Sequence, residues 1–194
     1  FLEHIAFNGT KNFPGKGIIN YLETIGVKFG ANINAYTSLD ETVYNLKAVP
    51  TYRNGIVDSC LLILHDWSSF ISCEDDEIDK ERGVILEEWR TRNTSDRRLW
   101  KKSSSILYEG SQYAKRDIIG DTAIILNFHP DSLRAYYNKW YRPDLQGIII
   151  VGDVDVDYVE NKIKEMFADI PARVNPATRV VYDLKKLDTT KVCI

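Results

Sequence analysis

The stretch 31-ANINAYTSLDETVYNLKAV-49 decides the fold class. Its two halves, Ala31–Thr37 and Glu41–Val49, are rich in β-formers and are joined by a short Ser38-Leu39-Asp40 turn, which predicts a β-hairpin that Pro50 ends. Helical patterns lie on both sides. Upstream, Phe1–Phe7 reads as a helix stopping near Asn8-Gly9, and Pro14-Gly15 introduces a second one carrying Ile18, Ile19, Leu22 and Ile25. Downstream, Ile56, Cys60, Ile63, Trp67 and Phe70 step by four and three, an amphipathic helix over 54–70. His65 points away from that stripe and is expected at the surface, whereas Cys60 lies within it as core. Ser72 with Asp75 resembles a capping box opening a helix over 73–92. Further helices are expected from Asn93-Thr94-Ser95 to about Tyr108, on both sides of Pro130 to Tyr141, and through Val159, Ile163, Met166 and Ile170. The run 147-GIIIV-151, apolar on both faces, is expected as a central strand. Strands and helices mix without strict alternation, so the class is α+β.

A chain of 194 residues, 44% hydrophobic and 27% charged, can bury a core, and its length fits one domain or at most two small ones. The net charge of −3 argues against nucleic-acid or anionic-membrane binding, which need a basic surface. No apolar run approaches a membrane span. The three cysteines, Cys60, Cys73 and Cys193, form no C-x-x-C pair and suggest neither a disulfide framework nor a cysteine zinc site. Sequons occur at Asn8 and Asn93, a pattern common by chance. A chain that begins with Phe inside an apparent motif is expected to be a segment of something longer.

The acidic helix 73-CEDDEIDKERGVILEEWR-90 holds the most informative carboxylates. Glu81 and Glu88 are seven residues apart, which at about 3.6 residues per turn returns them to one face, beside Ile78, Val84 and Ile85. Glu87 points about 100° away from Glu88. A solvated charged face would account for Glu87. Glu81 and Glu88 fit that reading less well, because a carboxylate in an apolar stripe needs a cation or a hydrogen-bond donor. Near the start, Glu3 and His4 stand side by side. A histidine one turn before His4 would complete H-x-x-E-H, a zinc-hydrolase order with the glutamate as base, but Glu-His alone is weak evidence. The triplet Asp153, Asp155, Asp157 imitates a calcium loop, yet Tyr158 and Lys164 stand where its Gly and Glu belong. One of these aspartates is better suited to capping a helix.

Four separated motifs, 1-FLEHIAFNGTKNFPG-15, 30-GANINAYTSLDETVYNL-46, 77-EIDKERGVILEEWR-90 and 148-IIIVGDVDVDYVENKIKEMFADIPA-172, come in the order and approximate spacing of the pitrilysin-type metallopeptidases. The chain resembles that family, especially its bacterial members, over nearly its whole length. The resemblance implies a zinc-dependent endopeptidase acting on peptides or unstructured chains, in a mostly antiparallel sheet packed against helices and lacking its first strands. It implies Glu3 as catalytic base, His4 and Glu88 as Zn²⁺ ligands, a further ligand His before Phe1, and Glu81 orienting the site. It also implies that Asn34, Ala35, Tyr36 and Thr37 form an edge strand to which a peptide substrate adds. Without the resemblance this segment reads as a plain core hairpin. A second homologous domain or subunit is expected to close over the substrate, and an extracytoplasmic, for instance periplasmic, location follows from exported relatives. The domain is expected over 1–172, with 173–194 as linker. Because the upstream His is not in the chain, the segment alone is expected to have little peptidase activity and weakened zinc affinity. A non-catalytic structural or peptide-binding homologue is the alternative. A metal-free interaction domain would be favoured if Glu81 and Glu88 were exposed and remote from His4.

Overall fold

The computed structural model describes residues 1–184, 186 and 188–192. In chain order its elements are α1 Leu2–Ile5, α2 Gly17–Thr24, β1 Ile33–Thr37, β2 Thr42–Leu46, α3 Ile56–Ser69, α4 Asp75–Arg92, α5 Ser95–Leu107, α6 Thr122–Asn127, α7 Pro130–Trp140 and α8 Val156–Met166. Short 3₁₀ turns cover Gln112–Lys115, Pro143–Leu145 and Phe167–Asp169. The class is α+β, and among the described residues the sheet is the antiparallel hairpin of β1 and β2, in register from Ile33↔Leu46 to Thr37↔Thr42.

The core explains how distant segments come together. Leu2, Ile5, Phe7, Ile18, Leu22, Ile33, Ile63, Trp67 and Ile78 are buried in one cluster. Trp67 lies at its centre: the indole N–H donates to the Ala6 carbonyl at 2.9 Å, and the ring stacks on Tyr44 with centroids 5.1 Å apart. One side chain thereby ties α3 to the end of α1 and to β2. Trp67→Ala should destabilise the protein by about 3–5 kcal/mol, the usual effect of emptying so large a site, measured as a lower urea midpoint at unchanged slope.

Three local expectations are corrected. The run 147–151 is not a strand: Ile149 and Val151 are 89% and 91% exposed, and the hairpin supplies no neighbour for it among the described residues. An apolar run marks a strand only where another strand takes up its N–H and C=O groups. His65 is buried, not at the surface. Its ring stacks on Phe70, and its two nitrogens meet Asp66 Oδ1 at 3.2 Å and Asp169 Oδ1 at 2.8 Å. A helical wheel locates the apolar core; it carries no information about a polar partner 104 residues away. The start of α4 is also different. Its N-cap is Glu74 and no side chain caps it, while the Arg134 guanidinium reaches across from α7 to the Cys73 carbonyl, at 2.9 Å, and to Asp75. The start of α8 meets expectation, with Asp155 accepting from the Tyr158 N–H at 2.9 Å.

Candidate metal centre

Glu3 and His4 sit on α1, a single turn whose Leu2 and Ile5 are buried and anchor it in the core. The Trp67 bond to Ala6 fixes the end of that turn. Opposite lies α4, whose Ile78 and Ile85 are buried and so turn the Glu81–Glu88 face toward α1. Val84, which the helical period places beside them, is exposed.

The two helices converge on His4. Its Nδ1 lies 2.8 Å from Glu81 Oε1, and its Nε2 lies 3.4 Å from Glu88 Oε2. Glu81 is buried, and its second oxygen accepts from Asn8 Nδ2 at 2.8 Å. Glu88 is held through its other oxygen by Arg92, 2.9 Å away. Glu87 is turned outward onto Arg90 in an exposed pair. Glu3 does not join the His4 cluster; its Oε2 accepts from the Thr37 hydroxyl, at the end of β1. The hairpin is thus linked to the candidate base by a side chain. Tyr44 and Tyr141 share a hydroxyl–hydroxyl bond of 2.7 Å joining β2 to the end of α7, and burial pushes the Tyr141 phenol up to about 12.

The Ser38 N–H bond to Glu41 O and the Lys47 N–H bond to Asn32 O, both 2.8 Å, identify the even-numbered residues of β1 as the hydrogen-bonded pairs. The peptide groups of Ile33, Ala35 and Thr37 therefore face away from β2, on an edge that no strand occupies among the described residues. On that edge the Ala35 N–H donates to the Asn34 side chain at 2.9 Å. Tyr36 is 48% exposed.

Hydrogen bonding to His4 is the main influence holding Glu81 below the usual carboxylate range, with Asn8 and the Lys16 charge assisting and burial opposing. A depressed folded-state value means that the stabilisation is complete above the unfolded-state value, about 4.3 for Glu. It is lost as pH falls through the folded value. Glu81→Gln should therefore flatten the acid limb of stability against pH, measured by urea unfolding below about pH 4.3; parallel acid limbs would refute this.

An imidazole nitrogen facing a carboxylate is a donor set that suits zinc, and a carboxylate on the far ring nitrogen is the usual outer partner of a zinc-bound histidine. His4 and Glu88 fit as two ligands with Glu81 as that partner. Among the described residues no set of three His, Cys, Asp or Glu forms a complete cage.

The sequence matches the model of Insulinase (Peptidase family M16) over residues 1–120. The chain belongs to the M16 peptidase family. Residues 127–194 match a second model of the family, described as the Peptidase M16 inactive domain. Among curated proteins, the chain is 38% identical over 187 residues to a probable zinc protease PqqL of Haemophilus influenzae, covering 96% of this chain and 19% of that protein. It is 36% identical over 180 residues to the Escherichia coli probable zinc protease PqqL, covering 93% of this chain and 19% of that protein. Among solved structures, the first half of the periplasmic protease PqqL from E. coli superposes with a TM-score of 0.87 at 35% identity, over 95% of this chain and 39% of that one. The chain thus spans about a fifth of the length of these curated relatives. Its sequence and fold are those of the pitrilysin-like M16 family and are similar to bacterial members.

Asn8 and Lys16 adjoin the His4 cluster with no sequence signal that places them there. In the sequence Asn8 stands out only as a sequon, and its amide is buried against Glu81.

Proposed function

We propose that this chain supplies the base and two zinc ligands of a peptidase that hydrolyses peptide bonds in peptides or unstructured chains. The carrying observation is that His4 Nε2 and Glu88 Oε2 converge, while Glu81 holds the other ring nitrogen and Glu3 stands in the adjacent position. Zinc, when bound, supplies Lewis-acid polarisation of a carbonyl and makes a water acidic near neutral pH. Glu3 takes the proton of the attacking water and passes it to the leaving amine nitrogen. Thr37 aims the Glu3 carboxylate by its hydroxyl bond. Glu81, ionised and acceptor-only, keeps the His4 Nδ1 proton in place and leaves Nε2 as the ligand atom. Catalytic zinc commonly takes three protein ligands, and the family resemblance puts the third immediately before Phe1.

The free edge of β1 is the substrate strand in this reading. An extended peptide would bond to the outward peptide groups of Ala35 and Thr37, displacing the Asn34 side chain from the Ala35 N–H. Backbone pairing of this kind tolerates many sequences. A second homologous domain closes over the site, and the protein works outside the cytoplasm, by analogy with a relative described as periplasmic. A purely structural homologue would have no use for Glu3, His4, Glu81 and Glu88 in this arrangement. The test is hydrolysis of an unstructured fluorogenic peptide by a longer protein that carries this chain together with the third ligand ahead of Phe1: chelation should abolish it and added zinc restore it. Turnover insensitive to chelators would refute the reading.

A further inference from the structure

Behind Glu81 lies a relay that the catalytic reading does not use. The backbone reverses between Gly9 and Gly15, where a Cβ on Gly9 would meet the Gly15 nitrogen at 3.1 Å. Gly15 has a φ of +58°, in the left-handed region that favours glycine. This close return brings Lys16 back alongside Asn8. The intervening loop is pinned by the fully buried Asp66, which accepts from Thr10 Oγ1 at 2.6 Å, Asn12 N at 2.8 Å and Asn12 Nδ2 at 2.7 Å. Lys16 Nζ then donates to Asn8 Oδ1, and Asn8 Nδ2 donates to Glu81 Oε2 at 2.8 Å.

The donor and acceptor chemistry of this chain orients the Asn8 amide and places a proton on His4 Nδ1. An ammonium can only donate, so Asn8 must turn its oxygen to Lys16 and its NH₂ to Glu81. Glu81, ionised, can only accept, so the His4 nitrogen facing it must carry the proton. A ring that carries this one proton has its lone pair on Nε2, on the Glu88 side, where a metal ion would take it. Two carboxylates, Glu81 and Glu88, face one imidazole, and Lys16 supplies positive charge from behind without occupying the site. We propose that Asn8 and Lys16 are positioning residues: Lys16 orients the Asn8 amide, and Asn8 locks Glu81 so that His4 presents Nε2 as its ligand atom.

This rests on the reading of His4 as a zinc ligand, and the test separates the two. The chain has three histidines, so long-range ¹H–¹⁵N spectra at mildly alkaline pH can assign the His4 ring without metal. Wild type and Lys16→Arg should show the Nδ1–H tautomer, while Asn8→Ala and Lys16→Met should shift His4 toward a mixture. In zinc competition titrations, Asn8→Ala should lose affinity by about 10-fold or more, within the range for outer partners of zinc ligands. Lys16→Met should lose less. The double variant should bind no more weakly than Asn8→Ala, because Lys16 acts through Asn8. Lys16 is exposed, so its replacement reads the relay even if Asn8→Ala fails to fold. An unchanged His4 tautomer in Lys16→Met, or additive affinity losses in the double variant, would overturn the relay. Absence of zinc binding by the wild-type chain extended by the third ligand ahead of Phe1 would overturn the catalytic reading, and the tautomer would still decide the relay.

Discussion

Glu3→Gln is expected to reduce kcat for peptide hydrolysis by about 10²–10⁴-fold, the usual contribution of a positioned acid–base group, with zinc content unchanged. Three features separate this substitution from a general loss of structure. Gln retains an oxygen that can accept from the Thr37 hydroxyl, so the link between α1 and the hairpin persists. Glu3 makes no bond to His4 or Glu88, so the proposed metal donors are undisturbed. The anchoring of α1 depends on Leu2, Ile5 and the Trp67 bond to Ala6, none of which the change touches. The expected signature is therefore a fall in kcat with little change in KM or metal content. A variant within a few-fold of wild type would remove Glu3 from the chemistry.

Glu88→Gln is expected to weaken zinc binding by more than about 100-fold, beyond the 10–100-fold range for an outer partner. The amide is uncharged and a much poorer zinc ligand than the carboxylate it replaces, the oxygen donor that zinc sites use. Glu87→Gln is the matched control. It lies one residue away on the same helix, but its carboxylate is turned outward onto Arg90. Its loss should leave zinc affinity unchanged, because an exposed ion pair of this kind contributes little. Equal effects of the two substitutions would mean that the helix face has been misassigned.

That face was legible because helical periodicity is a local property. Glu81 and Glu88 share a direction with buried Ile78 and Ile85, and Glu87 does not, whatever the rest of the molecule does. The hairpin was legible for the same reason: its β-formers and turn are contiguous in the chain. The features that escaped depend on distant partners. His65 looked like a surface residue because its buried surroundings include Asp169, brought in from beyond α8. The run 147–151 has the composition of a buried strand, but no adjacent strand is present among the described residues. Lys16 carried no signal, since it reaches Asn8 only through the loop reversal at Gly9 and Gly15. Ser72 and Asp75 had the spacing of a capping box, yet Arg134 from α7 braces that end of the helix instead. The Glu-His pair alone is weak evidence; the family resemblance gives it a reading, and the carboxylates facing His4 lie 77 and 84 residues further along.

The most direct measurement is an anomalous difference map at the zinc edge from crystals of the protein grown with zinc. The account predicts one peak bonded to His4 Nε2 and a Glu88 oxygen, at about 2.0–2.2 Å from each, with Glu81 still on His4 Nδ1. A peak on Nδ1 or Glu81, or no peak between His4 and Glu88 while zinc binds elsewhere, would contradict it.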